Sequence, residues 1–453
     1  MSTPVSRRGV LAGMGGGAVG ALAFGLPAHA LTSSSGTTPG AHAQAASKPR
    51  PLPRAPKTAP AALARDEAYW ARVARSYDVS REVINLENGY FGVVPDVVLA
   101  EFRARGDEIA RRSSYYMRTE MDADWERQRQ RTAQIAGCDV SEVALTRGAT
   151  EALQKLIAGY NKLGPGDEAL YVDLDYDSMQ YAIEWLAERR GCTVVKGAIP
   201  EPATYDNVLG YYETFLADHP RAKLLLLTHV SHRTGLVIPV AEVARMAAQR
   251  GVDVIVDAAH SWGQLDFAVR DLEAPFVGFN FHKWMGCPLG VGWMYIAKDR
   301  LTDIDRDLAD EDFDADDIRS RIHTGTANTA NTLTISTALS FHEAVGIENK
   351  QARLRYLRDA WVTPSRDIPR LQILTPDDER MYGALTAFRL QGRTSKEDST
   401  AITKWLLEKH NIFTVRRGGV AAGEVVRVTP ALYNTPEESR RLAAALRELV
   451  TVF

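Results

Sequence analysis

Cysteine is scarce in this chain, and long apolar runs and basic tracts are absent from nearly all of it. The three cysteines, Cys138, Cys192 and Cys287, are too few and too scattered for a disulfide framework or a thiolate metal site. Beyond Ala30, no apolar run approaches the ~20 residues that a membrane-spanning helix needs. The net charge of −3, without aromatic residues interleaved with basic ones, argues against a nucleic-acid partner.

Residues 1–30 have the pattern of an export signal. Arg7-Arg8 precedes an apolar run rich in glycine and alanine, and Ala28-His29-Ala30 is typical of a cleavage site. This predicts twin-arginine export to the periplasm or the cell exterior, with no membrane contact after cleavage; the alternative is an uncleaved N-terminal membrane anchor. Gly15 to Gly20 matches the glycine fingerprint of dinucleotide-binding folds, but it follows no strand and lies inside the signal.

The remaining chain divides into a tether and a folded body. Residues 31–62 are rich in Ser, Thr, Ala and Pro, and we predict that they are disordered. The body that follows is long enough for two domains. We assign residues 63–95 to an N-terminal segment that packs on the smaller domain, residues 96–345 to a large cofactor-binding domain and residues 346–453 to a small C-terminal domain.

Short apolar runs alternate with longer amphipathic segments from residue 143 onward. The runs predict strands at 143–146, 169–172, 192–195, 224–228, 252–256, 276–279 and 292–296. Strands that alternate with helices favour an α/β fold, with a mostly parallel sheet covered by helices on both faces. The C-terminal part instead mixes strands at 387–390 and 425–428 with helices, which is typical of an α+β module.

Polar residues follow several of these strands, at the edge where an open parallel sheet binds ligands. Thr146 to Glu151 opens a helix, where free N–H groups and the helix dipole suit a phosphate; the alternative is an ordinary cap by Thr150. The stretch Asp175 to Asp177 contains a tyrosine that is placed to stack on a planar ring of a ligand; the alternative is an ordinary surface tyrosine. The stretch His229 to Gly235 contains histidines that are placed to hydrogen-bond a ligand oxygen; the alternative is that they are structural histidines.

The most informative stretch runs from Phe279 to Trp284 and places Lys283 among aromatic residues. It follows the strand-end acid Asp257, which lies 26 positions before the lysine (283 − 257), and His260 adds a polar group nearby. A solvated surface lysine is the alternative, but aromatic neighbours favour desolvation and the lowered pKa that Schiff-base chemistry needs. Such a lysine, together with an acid that keeps a pyridine nitrogen protonated, predicts a pyridoxal 5′-phosphate site.

The motifs together resemble the class V aminotransferase family of fold-type I pyridoxal phosphate enzymes, especially its isopenicillin N epimerase-like members. The resemblance implies a large domain with a mostly parallel seven-stranded sheet and a smaller α+β domain. It covers the chain from about Trp70 to Val450, and the matching stretches are Asn88–Gly92, Thr146–Glu151, Gly166–Glu168, His229–Gly235, Asp257–His260, His282–Trp284, Gly325–Asn328 and Arg427–Asn434.

The resemblance implies roles around the cofactor ring. Lys283 would carry the Schiff base and move protons, and Asp257 would pair with the pyridine nitrogen. Tyr176 would stack on the ring. His260 would face the phenolic oxygen, with His232 near it.

The resemblance also implies contacts to the phosphate and to the substrate. Residues of the same chain would hold the phosphate, namely Ala149, Thr150, Asn280 and His282. The neighbouring subunit of a homodimer would add a second set to that phosphate site, namely Gly325 and Thr326. The substrate would meet three residues, of which the last would bind its α-carboxylate: Asn88, Tyr90 and Arg427.

The predicted function is a pyridoxal phosphate enzyme that acts at Cα of an amino acid or of a peptide containing one. Epimerisation, transamination, elimination and oxidative decarboxylation stay open, and the export signal favours tailoring of a secreted peptide or siderophore as a close second. Residues 416–423 lack the cysteine that desulfurases of the family carry there. A cofactor-free binding protein on this scaffold is an alternative; a nicotinamide dehydrogenase would need a glycine fingerprint where only Gly148 occurs.

Overall fold

The computed structural model describes residues 51–308 and 310–453. The predicted export signal, its glycine fingerprint and the first part of the predicted tether, residues 31–50, lie outside the described residues. None of the described helices is both long enough and apolar enough to cross a membrane.

The prediction of a disordered tether is wrong for residues 51–62. Leu52 and Ala55 pack against an apolar cluster, and the backbone N–H of Ala55 donates to the carbonyl of Ala344 at 2.8 Å. Pro60–Leu63 forms a short helix, and its first residue suits a helix start because proline has the required φ and no N–H to leave unpaired. Residues 51–62 have few apolar side chains, but contacts with a segment distant in sequence hold them in a defined conformation.

The described residues form helices and strands in the following order. The helices are α1 Pro60–Leu63, α2 Glu67–Ala74, α3 Asp96–Thr119, α4 Met121–Ala136, α5 Ala149–Gly159, α6 Asp177–Arg190, α7 Tyr205–Asp218, α8 Val240–Ala248, α9 Thr329–Leu333, α10 Ile335–Val345, α11 Ile347–Val362, α12 Lys396–His410 and α13 Pro436–Val452. The strands are β1 Ile84–Asn85, β2 Val143–Thr146, β3 Glu168–Val172, β4 Thr193–Gly197, β5 Ala222–Thr228, β6 Asp253–Asp257, β7 Phe276–Asn280, β8 Gly292–Ile296, β9 Leu371–Ile373, β10 Thr386–Leu390, β11 Ile412–Phe413, β12 Val415–Arg417 and β13 Val425–Val428.

A seven-stranded sheet forms the centre of the described chain, as predicted, with the strand order β2-β8-β7-β6-β5-β3-β4. Within this sheet, β8 runs antiparallel to its neighbours β2 and β7, and the other pairs are parallel. Successive residues of β5 face opposite layers: Leu225 and Leu227 join one apolar cluster, and Leu224 and Leu226 join the other. Both faces are therefore buried, which explains why the parallel strands read as continuous apolar runs.

A smaller four-stranded antiparallel sheet follows in the order β12-β13-β10-β9. Its strands pack with α11, α12 and α13 over a separate apolar cluster that includes Trp361, Phe388 and Leu446. The N-terminal strand β1 pairs in parallel with β11, and Glu87 forms a parallel bridge with Thr429. This pairing brings the segment around Glu87 to the end of β13.

Parallel strands of the large sheet end at one edge, and this edge positions the site. The last residues of β2 and β7, Thr146 and Asn280, both pair with Gly292 on the antiparallel strand between them. A Cβ on Gly292 would lie 2.5 Å from Cα of Gly148, so a larger residue would push away the turn that starts α5. The strand ends at this edge are Thr146, Val172, Gly197, Thr228, Asp257 and Asn280.

Candidate active site

A crevice of about 600 Å³ opens at the ends of these strands, a volume typical of a cofactor or substrate site. Most of the residues predicted from sequence line it, so the fold brings them together. They are Tyr90, Ala149, Thr150, Tyr176, His232, Asp257, His260, Asn280, His282 and Lys283.

Lys283 is half-buried in this crevice, and its Nζ lies 3.0 Å from Nε2 of His260. Burial lowers the pKa of Lys283 to about 8, although the charge of Asp257 opposes the shift. Burial and the charge of Lys283 hold the pKa of His260 well below its usual range. The imidazole is therefore neutral, and its Nε2 accepts a hydrogen bond when the lysine is an ammonium.

Asp257 is buried at the end of β6 and makes no ion pair with another described residue. Its Oδ1 accepts the backbone N–H of Ala259 at 2.9 Å. Burial raises the pKa of this carboxyl, while the Ala259 N–H and the charge of Lys283 lower it. A buried carboxylate that accepts one backbone hydrogen bond is stabilised by a nearby cation. The pyridinium nitrogen of pyridoxal phosphate has the required positive charge.

Helix α5 starts at the crevice without a side-chain cap. Its N-cap is Gly148, so the alternative of a cap by Thr150 is wrong. Asn280 Oδ1 accepts the backbone N–H of Ala149 at 2.7 Å, which engages one of the donors predicted for a phosphate. The following N–H groups of the first turn have no acceptor inside the helix, so the helix start suits an anion.

His282 lies beside the same helix start, with its Nδ1 3.1 Å from the carbonyl of Val291. Burial and the charge of Lys283 lower the pKa of His282 to about 4. The neutral ring donates through Nδ1 to that carbonyl, which leaves Nε2 without a proton. A phosphate dianion beside Nε2 would favour the doubly protonated ring, and only that form donates to the phosphate.

Tyr176 and His232 form the opposite part of the crevice, with their ring centroids 5.1 Å apart in an edge-to-face arrangement. The hydroxyl of Tyr176 lies 3.4 Å from that of Tyr90. Among the described residues, three buried atoms of the crevice have no hydrogen-bond partner: Thr228 Oγ1, His232 Nδ1 and His260 Nδ1. Buried polar atoms are normally paired, so the crevice fits a polar ligand such as pyridoxal phosphate.

Sequence reasoning missed some residues of the crevice. The sequence places Thr228 only in the predicted strand at 224–228, although its position as the last residue of that strand marks it as a residue at the ligand-binding edge. Phe91 and Leu289 also line the crevice and are exposed; Phe91 belongs to the matched stretch Asn88–Gly92 but has no predicted role, and no pattern in the sequence marks Leu289.

Four predicted residues lie outside the crevice lining, namely Asn88, Gly325, Thr326 and Arg427. Asn88 is buried: its Nδ2 donates to the Thr429 carbonyl at 3.0 Å, and its Oδ1 accepts from the hydroxyl of Tyr433 at 2.7 Å. It borders a separate cavity of about 30 Å³ beside Lys283. Gly325 and Thr326 are exposed on the surface of their own chain.

Arg427, predicted to bind the substrate carboxylate, is completely buried and already paired. Its Nη1 donates to the His232 carbonyl at 2.6 Å, its Nε donates to Glu87 Oε2 at 3.3 Å, and its Nη2 pairs with Glu87 Oε1. Burial lowers the pKa of Arg427 to about 10 while Glu87 raises it, so the guanidinium stays charged at neutral pH.

The family model for class V aminotransferases matches residues 95–442 of this chain. The chain therefore belongs to the class V aminotransferase family, and it is a pyridoxal phosphate enzyme with the fold-type I architecture.

Individual relatives agree with this assignment. The chain is 27% identical to isopenicillin N epimerase of Streptomyces clavuligerus over 402 residues, which cover 84% of this chain and 98% of the relative. Among solved structures, the apo cysteine desulfurase of Thermococcus onnurineus NA1 superimposes with a TM-score of 0.71 at 20% identity, covering 84% of this chain and 98% of that one. A mutant of C-DES with glycine covalently linked to its PLP cofactor gives a TM-score of 0.69 at 21% identity, covering 81% and 96%.

Proposed function

We propose that Lys283 binds pyridoxal 5′-phosphate covalently and that the enzyme acts at Cα of an amino acid or of a peptide containing one. One observation supports this above all: a half-buried lysine with a lowered pKa shares a crevice with a buried aspartate that has no ion pair with any described residue. When bound, the cofactor withdraws electrons from the bonds at the substrate Cα.

The side chains around Lys283 have distinct proposed tasks. Asp257 keeps a negative charge where the pyridine nitrogen binds, and Tyr176 covers the ring. Lys283 has a pKa near neutrality, so its Nζ both accepts and returns a proton at Cα. His260, 3.0 Å from Nζ, accepts a hydrogen bond from the lysine and orients it.

The phosphate site is proposed to need two subunits. The start of α5, Thr150, Asn280 and His282 would hold the phosphate within one chain. Gly325 and Thr326, exposed on that chain, would complete the phosphate site of the neighbouring subunit in a homodimer.

Among reactions at Cα, we propose epimerisation. The epimerase of Streptomyces clavuligerus matches this chain over nearly its whole length. The cysteines argue against persulfide chemistry, because burial raises the pKa of the thiols of Cys138 and Cys287 to about 12 and raises that of Cys192 as well. Thiols that stay protonated at neutral pH are poor nucleophiles.

A second candidate function is the tailoring of a secreted peptide or siderophore outside the cytoplasm, by transamination or oxidative decarboxylation. The observation that favours it is the twin-arginine pattern at Arg7-Arg8 with the cleavage motif at Ala28 to Ala30.

Visible absorption of the purified protein tests cofactor binding. We expect the band of a lysine-bound cofactor in the wild type and in Lys155→Ala, which removes another lysine that lines the crevice, and no such band in Lys283→Ala. A colourless wild type to which added cofactor gives no band would contradict the proposal and favour a binding protein.

The same holoenzyme distinguishes the reactions. Amino acids and short peptides are incubated with it in deuterated water, and products are followed by mass and by chiral separation. Epimerisation predicts deuterium at Cα and an inverted stereoisomer. An oxo acid, or loss of carbon dioxide, would instead support the second candidate.

A further inference from the structure

Lys350 is a buried lysine without a counter-charge. It lies near the start of α11 and is 6% exposed. Its Nζ donates to the carbonyl of Trp284, and among the residues that the structure describes it forms no ion pair. A buried ammonium group is unfavourable unless a negative charge compensates it. The Trp284 carbonyl engages one of its three N–H donors, so two donors and the whole charge are left over.

A cavity of about 20 Å³ lies beside Lys350, and two further buried polar groups line it. They are the indole of Trp284 and the imidazole of His342, each 7% exposed. Trp284 Nε1 and His342 Nδ1 have no hydrogen-bond partner among the described residues. Apart from Tyr77, the other lining residues have apolar side chains or none, so no carboxylate faces the cavity from the described chain.

The protonation of these groups suits an occupant that accepts hydrogen bonds. Burial and the charge of Lys350 hold the pKa of His342 well below its usual range. The imidazole is therefore neutral and donates from Nδ1 when that nitrogen carries the proton, and an indole N–H only donates. An anion accepts from all three side chains and neutralises Lys350, whereas a water molecule leaves the charge uncompensated.

The size of the cavity limits the occupant. A cavity needs about 10–15 Å³ to hold one water molecule, so about 20 Å³ suits one particle of similar size and excludes sulfate, phosphate and carboxylates. The neighbouring cavity of about 30 Å³ is lined by both Lys350 and Lys283. The occupant would therefore lie next to the segment that carries the reacting lysine.

We propose that the cavity beside Lys350 binds one monatomic anion, such as chloride, through Lys350 Nζ, Trp284 Nε1 and His342 Nδ1. The anion neutralises the buried ammonium group. Because Lys350 also holds the carbonyl of the residue that follows Lys283, the bound anion stabilises the backbone beside the reacting lysine. The site does not depend on which reaction the enzyme catalyses.

Bromide tests the site, because it resembles chloride and its anomalous scattering identifies it in crystals. We expect one bromide peak in this cavity in crystals of the wild-type holoenzyme and none there in Lys350→Met. In solution, the wild type should melt about 1–2 °C higher in sodium bromide than in sodium gluconate at equal ionic strength, relative to the same difference for Lys350→Met. General salt effects act on both proteins and cancel in this comparison.

Two further variants keep the test sharp. Lys404→Met removes an exposed lysine from α12, and we expect it to respond to bromide as the wild type does. Trp284→Phe keeps Lys350 and an aromatic ring but removes one donor, and it should weaken bromide binding by about tenfold. Bromide should also reduce the change in wild-type stability between pH 7 and 9, because a bound anion raises the pKa of Lys350 towards its ordinary value.

Water in the cavity of bromide-soaked crystals, with no anomalous peak there, would overturn the proposal. So would equal responses of the wild type and Lys350→Met to bromide. If Lys350→Met does not fold, an unchanged bromide affinity of Trp284→Phe overturns the assignment of the donors in the same way.

Discussion

The large sheet and the small sheet differ in whether their buried charged side chains have partners. At the large sheet, Asp257 has no ion pair with a described residue, and Nδ1 of His260 has no partner. At the small sheet, Arg427 is completely buried and engaged by Glu87 and the His232 carbonyl. Buried groups without partners indicate where a ligand binds, whereas a fully paired charge indicates a structural role.

The largest effect should come from removing the buried ion pair between Arg427 and Glu87. Arg427→Met leaves the Glu87 carboxylate buried with only Arg417 near it, and we expect the free energy of unfolding to fall by about 3–5 kcal/mol in urea denaturation. Adding Glu87→Gln should restore much of that loss, because it removes the unpaired charge. If the single variant is as stable as the wild type, the pair is not structural and the comparison fails.

Asp257→Asn tests the buried carboxylate at the end of β6. We expect kcat/KM to drop by about 10²–10³-fold, because a preorganised charge at the cofactor is lost. The free energy of unfolding of the cofactor-free protein should not fall, because burial of the Asp257 charge is unfavourable.

Asp253→Asn is its control at the other end of β6, where Oδ2 of Asp253 accepts from the hydroxyl of Tyr160 at 2.8 Å and Arg300 pairs with the carboxylate. We expect this variant to lose stability and to keep its activity. The opposite pattern in the two variants would remove Asp257 from the site.

The smallest predicted effect is the pH dependence of stability caused by Lys350, which shows what distinguishes Lys283 from another lysine with a lowered pKa. Lys350 is a second lysine with a lowered pKa and is more deeply buried than Lys283; its Nζ donates to the carbonyl of Trp284, and burial lowers its pKa from 10.5 to about 7. Between these two values the unfolded chain binds more protons than the folded one, so stability rises with pH there, and the penalty is complete below about pH 7.

The measurement is the free energy of unfolding of the wild type relative to Lys350→Met between pH 7 and 9. We expect the wild type to gain up to about 1.4 kcal/mol per pH unit. A difference that does not change with pH would mean that folding does not lower the pKa of Lys350. A lowered lysine pKa therefore does not by itself identify an active site, and Lys283 is distinguished by its crevice and by Asp257.

The sequence identified the crevice because parallel strands end at one edge. Asp257 and Asn280 each end an apolar run, so their neighbourhood followed from the strand pattern. The ion pair between Glu87 and Arg427 could not be predicted, since the residues are 340 positions apart and nothing local marks either as the other's partner. Packing of Ala55 against the segment at Ala344 is invisible in the sequence for the same reason.

Helix ends show a second limit of sequence reasoning. The apolar positions from Val97 to Ile109 predict a helix that ends there, whereas α3 continues to Thr119, with a kink at Ser113 (φ 44°). Ion pairs spaced by four residues accompany the polar continuation, such as Arg105 with Glu101 at 2.8 Å and Arg112 with Glu108 at 3.0 Å. Such pairs stabilise a helix without any apolar signal.

The most direct test of the account is chemical identification of the lysine that holds the cofactor. Holoenzyme is treated with borohydride, which makes the lysine–cofactor bond permanent, and then digested and analysed by mass spectrometry. We expect the added phosphopyridoxyl mass on the peptide that contains Lys283 and on no other. The same mass on Lys155 or Lys350, or on no peptide of a coloured protein, would contradict the assignment of this crevice.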